Sequence, residues 1–166
     1  MALKTKPREG ADNIRLELSE RSFYRFSLLA GQINKAIGRA YVRRYGRPAH
    51  GWRVLTVLGN FGPLSATEIT HHNTLEIDKV TRIVDSLVEQ GLVTRQQDSE
   101  DRRRVIVALT AKGKRIYVQI EEMIGQMEHE FLIVLSNQER EILYDILERL
   151  KQRGDQVFRT AARWAT

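Results

Sequence analysis

Cysteine is absent from this chain. That excludes a disulfide framework, a thiolate metal site and redox sensing through a thiol. Proline occurs 3 times and glycine 11 times in 166 residues, so little of the chain reads as linker, and it contains no low-complexity tract or internal repeat. The opening MALKTKPREG lacks the apolar core of a secretory signal. Nowhere do about 18 uncharged apolar residues run together, so no membrane partner is expected and the expected location is cytoplasmic. There is no nucleophile–base motif, no Gly-rich phosphate loop and no convincing metal-ligand set, which argues against an enzyme, a cofactor or a bound metal. His71 and His72, with Glu68 one turn before, read as a polar loop because no third and fourth ligand follow at metal-binding spacing.

One further absence is local. Between Arg21 and Thr67 there is no acidic residue, against eight basic ones: Arg21, Arg25, Lys35, Arg39, Arg43, Arg44, Arg47 and Arg53. From Glu121 to Glu148 the balance reverses, with eight acidic residues against Arg140 alone. The net charge of +6 therefore hides a basic portion and an acidic portion, as if only part of the chain faces a polyanion.

What is present is mostly helical periodicity. After a frayed segment, 1–18, Ser19 is placed to cap a helix over about 19–45 with Phe23, Phe26, Ala30, Ile33, Ile37 and Ala40 on one stripe, ended by Gly46 and Pro48. A second helix, about 49–60, buries Trp52, Val54, Leu55, Val57 and Leu58. Ser65-Ala-Thr-Glu68 is a capping box opening a short third helix that ends near 71–73. Asn73 or Thr74 can cap a fourth, about 75–90, whose shared face is Ile77, Val80, Val84 and Leu87, and Gly91 stops it. The period then shortens to that of strands at 92–95 and 105–109, a hairpin with a charged tip. Thr110 caps a fifth helix, 111–133, with Ile116, Ile120, Met123, Met127 and Phe131 as its stripe. Ser136-Asn-Gln-Glu139 opens a sixth with Ile142, Ile146, Leu150 and Val157. The expected class is mainly α with a small β-hairpin wing: six helices forming a winged helix-turn-helix, which the family resemblance given below implies is dimeric.

A short helix, a turn and a second helix with a polar outer face suit the major groove, the second helix reading bases while the first crosses phosphates. Here the reader is 75–90, exposing Asp78, Lys79, Thr81 and Arg82. Arg82 can grip guanine through two donors and Thr81 can bond phosphate. The amides opening the third helix, with Ser65 and Thr67, are candidates for a phosphate oxygen. The hairpin adds Arg95, Arg102, Arg103 and Arg104, arginines that a narrow minor groove attracts. Asp101 is expected to pair with a wing arginine and fix the loop. The plain alternatives are a solvated charge run at 102–104 and, for Arg82, a surface pair with Asp78 or Asp85.

These segments resemble the MarR family of bacterial transcriptional regulators: WRVL (52–55), LSATEI (64–69), DKVTRIVDSLVEQGLVTR (78–95) and DSEDRRRVIVALTAKGK (98–114). The resemblance spans about 20–150. It implies a homodimer on a pseudo-palindromic double-stranded operator, with Asp78, Lys79, Thr81 and Arg82 on the reading helix, Arg103 in the minor groove and Asp101 steadying the wing. It also implies a dimerisation region from 19–48 and 111–160 around a DNA-binding lobe, 49–110, and repression released by a small aromatic or anionic effector, an aromatic acid or acyl-CoA among the options. Oxidant-sensing members use a cysteine that this chain lacks. Tyr24, Tyr41, Trp52 and Phe61 are candidate effector-pocket walls with Arg39 and Arg43 nearby, though each aromatic singly reads as core and the arginines can simply add to the field felt by DNA. A DNA-binding protein without an effector, architectural in role, is the alternative function.

Overall fold

The protein is described by a computed structural model covering residues 17–46, 50–98, 101 and 103–158. The N-terminal residues 1–16, Pro48 and Arg102 lie outside the described residues. Two compact units are present, one ending at Ile120 and the other beginning at Glu121.

In the first unit a 3₁₀ turn, Leu18–Glu20, leads into α1 (Ser22–Tyr45). Ser19 does not cap α1. It lies inside the turn, and its carbonyl instead accepts Arg25 Nε at 2.7 Å, while Arg21 holds the cap position without a side-chain cap hydrogen bond. Gly46, at φ 81°, ends the helix in a conformation that a Cβ disfavours. Helix α2 (Gly51–Phe61) buries Val54, Leu55, Val57 and Leu58. It is followed by β1 (Leu64–Ser65), α3 (Ala66–His71), α4 (Ile77–Glu89), β2 (Val93–Gln97), β3 (Val105–Leu109) and α5 (Ala111–Leu132).

The expected hairpin is a three-stranded antiparallel sheet in the order β1-β3-β2. Val93 faces Leu109 and Gln97 faces Val105 across the hairpin. Leu64 and Ser65, the two residues before α3, pair with Val107 and Ile106. A strand of two residues has too short an alternation to be seen by period. Its effect is large: the residue that caps α3 is fastened to the wing.

The core between these elements holds Val54, Leu55, Leu58, Ile69, Val80, Ile83, Val84, Leu87, Val93 and Val107. Burying one such aliphatic side chain is worth about 1.5–3 kcal/mol, so this set orients α4 against α2, α3 and the sheet. Ile77 leaves the expected buried face and stands 43% exposed in the first turn of α4, and Ile83 occupies the core instead. The junction after the sheet is polar and tight. Thr110 Oγ1 donates to Gly91 O at 2.7 Å and accepts Gly113 N at 3.0 Å, Thr110 N donates to Leu92 O at 3.0 Å, and Lys112 Nζ donates to Gln90 O at 2.9 Å. The first turn of α5 thus sits on the carbonyls that end α4.

The second unit holds the end of α5 and α6 (Asn137–Phe158). Ser136 and Glu139 form the second capping box, with Ser136 N donating to Glu139 Oε2 at 2.8 Å and Glu139 N to Ser136 Oγ at 3.3 Å. The apolar positions Ile142, Ile146 and Leu150 are exposed, as are Tyr144 and Leu147. Among the described residues no helix is long and apolar enough to cross a membrane.

Candidate nucleic-acid interface

Helix α4 presents the candidate reading residues. Asp78, Lys79, Thr81 and Arg82 are all exposed, on the surface opposite Val80, Val84 and Leu87. Asp78, in the first turn, complements the positive end of the helix. The cap is neither Asn73 nor Thr74 but Glu76, which makes no side-chain cap bond. Asn73 shapes the preceding turn instead: its Oδ1 accepts Leu75 N at 2.7 Å and its Nδ2 donates to Ile69 O at 2.9 Å. Thr74 Oγ1 accepts Arg53 Nη1 at 2.9 Å, tying α2 to this turn.

Among the described residues Arg82 makes no ion pair, so neither Asp78 nor Asp85 holds it. Its five donors remain available to a base or a phosphate. Thr81 is different, because its hydroxyl donates back to Ile77 O at 2.9 Å and must rotate to reach a phosphate. Beside the helix start, burial, and then the charges of Lys79 and Arg53, keep His50 below its ordinary 6.5. His50 is therefore neutral near pH 7, and the cations here are Lys79, Arg53 and Arg82.

Ser65 and Thr67 open α3. Ser65 Oγ donates to Glu68 Oε2 at 2.7 Å, Ser65 N donates to the same oxygen at 2.8 Å, and Glu68 N returns a bond to Ser65 Oγ at 3.3 Å. The box is closed on itself, so the Ser65 side chain is committed within the protein. The Thr67 side chain stays exposed, and its carbonyl accepts Thr70 Oγ1 at 2.6 Å. These bonds from Ser65, reinforced by Arg104, hold the Glu68 carboxyl down at about 2.

The wing arginines divide into different environments. Arg95 pairs with Asp85 at 2.6 Å, bracing β2 against α4. Arg104 Nη2 contacts Glu68 Oε1 at 2.8 Å and its Nη1 lies 3.6 Å from Asp98. Arg103 is exposed and, among the described residues, unpaired. Asp101 acts on the main chain: its Oδ1 accepts Arg103 N at 3.0 Å and its carbonyl accepts Arg104 N at 2.8 Å. The described arginine held in ion pairs within the wing loop is Arg104, and its partners are Glu68 and Asp98 rather than the expected Asp101. Charge and spacing in the sequence mark all of these arginines alike, and only the fold separates them.

The candidate effector residues do not form one cluster within the chain. Tyr24 and Tyr41 stand seventeen positions apart on one helix, roughly 25 Å at about 1.5 Å per residue. Phe61 is exposed and stacks on His72, ring centres 3.9 Å apart. Arg39 and Arg43 are exposed on α1. Tyr41 is wholly buried and its hydroxyl has no partner; burial, with Tyr45 beside it, pushes that hydroxyl up to about 12. Trp52 Nε1, Arg53 Nε and Thr56 Oγ1 are likewise buried without a hydrogen-bond partner. Orphaned polar atoms of this kind are uncommon in a finished core. No single-sequence signal marks Thr56 or Arg53 in this respect, because an unmade hydrogen bond is visible only in three dimensions. Among the described residues no group of three His, Asp or Glu side chains could hold a metal ion.

The sequence profile of the MarR family matches residues 49–105, from α2 into the start of β3. The HTH-type transcriptional regulator FarR of Neisseria gonorrhoeae is 29% identical over 104 residues, covering 63% of this chain and 71% of FarR. The uncharacterized HTH-type transcriptional regulator YwoH of Bacillus subtilis is 32% identical over 97 residues, 58% of this chain and 70% of YwoH. A MarR/EmrR family regulator from Acinetobacter sp. ADP1 has the same fold at a TM-score of 0.77 and 23% identity, covering 86% of this chain and 100% of that one. So do a mutant MarR from E. coli solved with operator DNA (TM-score 0.64, 24% identity, 76% and 91% covered) and NadR solved with 4-hydroxyphenylacetate (0.67, 24%, 82% and 97%). The matched segment carries α3, α4 and most of the wing, and the relatives are regulators rather than enzymes. The chain belongs to the MarR family and is a DNA-binding transcriptional regulator.

Proposed function

We propose that the protein is a cytoplasmic, ligand-released repressor that binds a pseudo-palindromic operator as a homodimer. The observation that carries the DNA-reading part is the unpaired Arg82 on the exposed face of α4, with Lys79 beside it and Arg103 free on the adjacent wing. Arg82 takes a base edge, Lys79 and Thr67 take phosphates, and Arg103 enters the neighbouring minor groove. The solved MarR–operator complex supports this docking by likeness of fold.

Dimerisation is supported by apolar side chains that a single chain leaves in water. Phe26 and Ile33 on α1, and Ile142, Ile146, Leu147 and Leu150 on α6, are all exposed. Helical stripes of this size mark contact surfaces. In this reading 19–48 and 111–160 form the dimerisation region and 49–110 the DNA-binding lobe. A two-fold dimer then sets its reading helices about 34–36 Å apart, one turn of DNA.

The effector is a small aromatic or anionic compound, an aromatic acid or its CoA thioester. Support comes from the unpartnered Tyr41 hydroxyl, Trp52 Nε1 and Thr56 hydroxyl, from the basic stretch that includes Arg39 and Arg43, and from the 4-hydroxyphenylacetate bound by NadR. A ligand acts only through its different affinity for the two dimer spacings, a coupling of about 1–3 kcal/mol that weakens DNA binding roughly 5–150-fold.

The test is fluorescence anisotropy against the DNA upstream of the protein's own gene and a scrambled duplex, at two salt concentrations. Tighter binding upstream, reversed by an aromatic acid or thioester, supports the reading. Equal weak binding to both duplexes, indifferent to these compounds, returns the protein to an architectural role.

A further inference from the structure

The basic tip of the wing is not uniformly available to DNA. Arg104 opens the turn into β3, two residues before Ile106, which pairs with Ser65. That register brings its guanidinium beside the start of α3. There the Glu68 carboxylate divides its oxygens: Oε2 takes both the amide and the hydroxyl of Ser65, and Oε1 takes Arg104 Nη2 at 2.8 Å. Asp98, at the end of β2, lies 3.6 Å from the other Nη of Arg104. The same Arg104 backbone closes the turn, its carbonyl accepting Asp98 N at 3.0 Å and its amide donating to Asp101 O at 2.8 Å.

From this arrangement we infer that Arg104 is a positioning residue rather than a DNA contact: it latches both strands of the wing to the capping box of α3, so that wing and helix-turn-helix present Arg103 and Arg82 in one fixed geometry. An open groove of about 410 Å³, lined by Pro63, Gln96, Gln97 and Ile106, flanks the latch. Among the described residues the guanidinium, 45% exposed beside this groove, is held by its two carboxylates. A phosphate competing for Arg104 would have to approach both of those negative charges. Arg103, one residue away, has no such partners among the described residues. The inference rests on the reading of the wing as a DNA-contacting element.

Arg104→Ala, Arg104→Lys and Glu68→Gln test it in the full-length protein. Glutamine is a normal N3 residue of a capping box, so Glu68→Gln can keep the cap through its amide oxygen while it removes the charge and turns an NH2 donor, which cannot accept, towards Arg104. Backbone amide hydrogen exchange is measured first, without DNA, at Asp98 and Arg104. Arg104→Ala and Glu68→Gln should each speed exchange about two- to fivefold, the span that exposed ion pairs usually reach. The double variant should be no faster than either, and Arg104→Lys should stay near wild type. Unchanged exchange overturns the latch.

Affinity for a mixed-sequence duplex supplies the second readout, and its sign is decisive. Removing a negative charge beside a polyanion should tighten binding, whereas loosening a latch should weaken it. The latch predicts that Glu68→Gln binds less tightly, and that Arg104→Ala loses affinity with its salt slope intact. Tighter binding by Glu68→Gln, or a salt slope for Arg104→Ala shallower by about 0.9, the signature of one lost phosphate contact, overturns the assignment. Arg103→Ala serves as the control. If it leaves both affinity and slope unchanged, the wing's role at DNA is refuted, and with it the consequence of the latch for binding, whatever the exchange rates show.

Discussion

Replacing Gly113 by alanine adds one methyl group where the first turn of α5 meets the chain that follows α4. A Cβ built there lands on the Leu92 carbonyl oxygen, 3.0 Å from its carbon and 3.4 Å from Leu109 Cδ2. The obstruction is backbone, and that carbonyl already accepts Thr110 N at 3.0 Å and Thr110 Oγ1 at 3.2 Å. Relief requires the first turn of α5 to withdraw from the end of α4. Withdrawal stretches those bonds and the Lys112 bond to Gln90 O. Two or three hydrogen bonds at about 0.5–1.5 kcal/mol each are at risk. The better helix propensity of alanine returns about 1 kcal/mol at most. The expected net loss is about 1–3 kcal/mol, consistent with overpacking elsewhere. Urea unfolding at pH 7 measures it, with protein concentration held fixed because an oligomer's midpoint depends on it. The midpoint should fall with the slope unchanged. A Gly113→Ala protein as stable as wild type, or more stable, would refute this account of the junction.

Arg82→Ala should cost about 1–3 kcal/mol on the specific operator and relax preference at one base-pair position; equal losses on operator and random duplex in anisotropy titrations would remove its base-reading role. Leu147→Glu on α6 places a charge on a face that one chain leaves apolar and exposed. Analytical ultracentrifugation should show the proposed homodimer of the wild type replaced by monomers with helical circular dichroism retained, and an unaltered dimer would exclude this face. Glu68 has its carboxyl lowered from 4.5 to about 2, so its contribution to stability is complete above pH 4.5 and is lost as pH falls towards 2. Urea midpoints should therefore drop more steeply for wild type than for Glu68→Gln across that window and run parallel above it; parallel curves throughout would contradict the shift. Gly59→Ala on α2 drives a methyl into the Tyr117 ring, whose Cζ lies 2.5 Å from the built Cβ, so it should destabilise by about 1–3 kcal/mol, and a melting temperature equal to wild type would show that the ring yields freely.

Much of the framework was legible in the sequence because it depends on local chemistry. Each capping box needs a hydroxyl and a carboxylate three residues apart, and both Ser65/Glu68 and Ser136/Glu139 form as that spacing requires. The left-handed stop at Gly91, φ 67°, follows from the lack of a Cβ. The exposed polar face of α4 follows from a 3.6-residue period, which places Val80, Val84 and Leu87 inward and Asp78, Lys79, Thr81 and Arg82 outward. Ser19 misled because a cap is defined by the backbone that follows it, and a 3₁₀ turn intervenes there.

Helix periods, caps, the order of elements and the polar reading face were thus fixed by residues within a few positions of one another. Tertiary structure decided the partners of the charged side chains around the wing, whereas the pairs of Arg149 with Asp145 and Lys151 with Glu148 follow from helical spacing. Asp85 takes Arg95, and Glu68 reaches across 36 positions to Arg104. The two-residue strand that brings Glu68 there has no period of its own and exists only because β3 offers it a paired edge. An arginine carries the same charge and the same donors wherever it stands in a sequence. Whether it is free for DNA or held by a carboxylate depends on what the fold places within a few ångströms, and that is set by long-range packing rather than by neighbours along the chain.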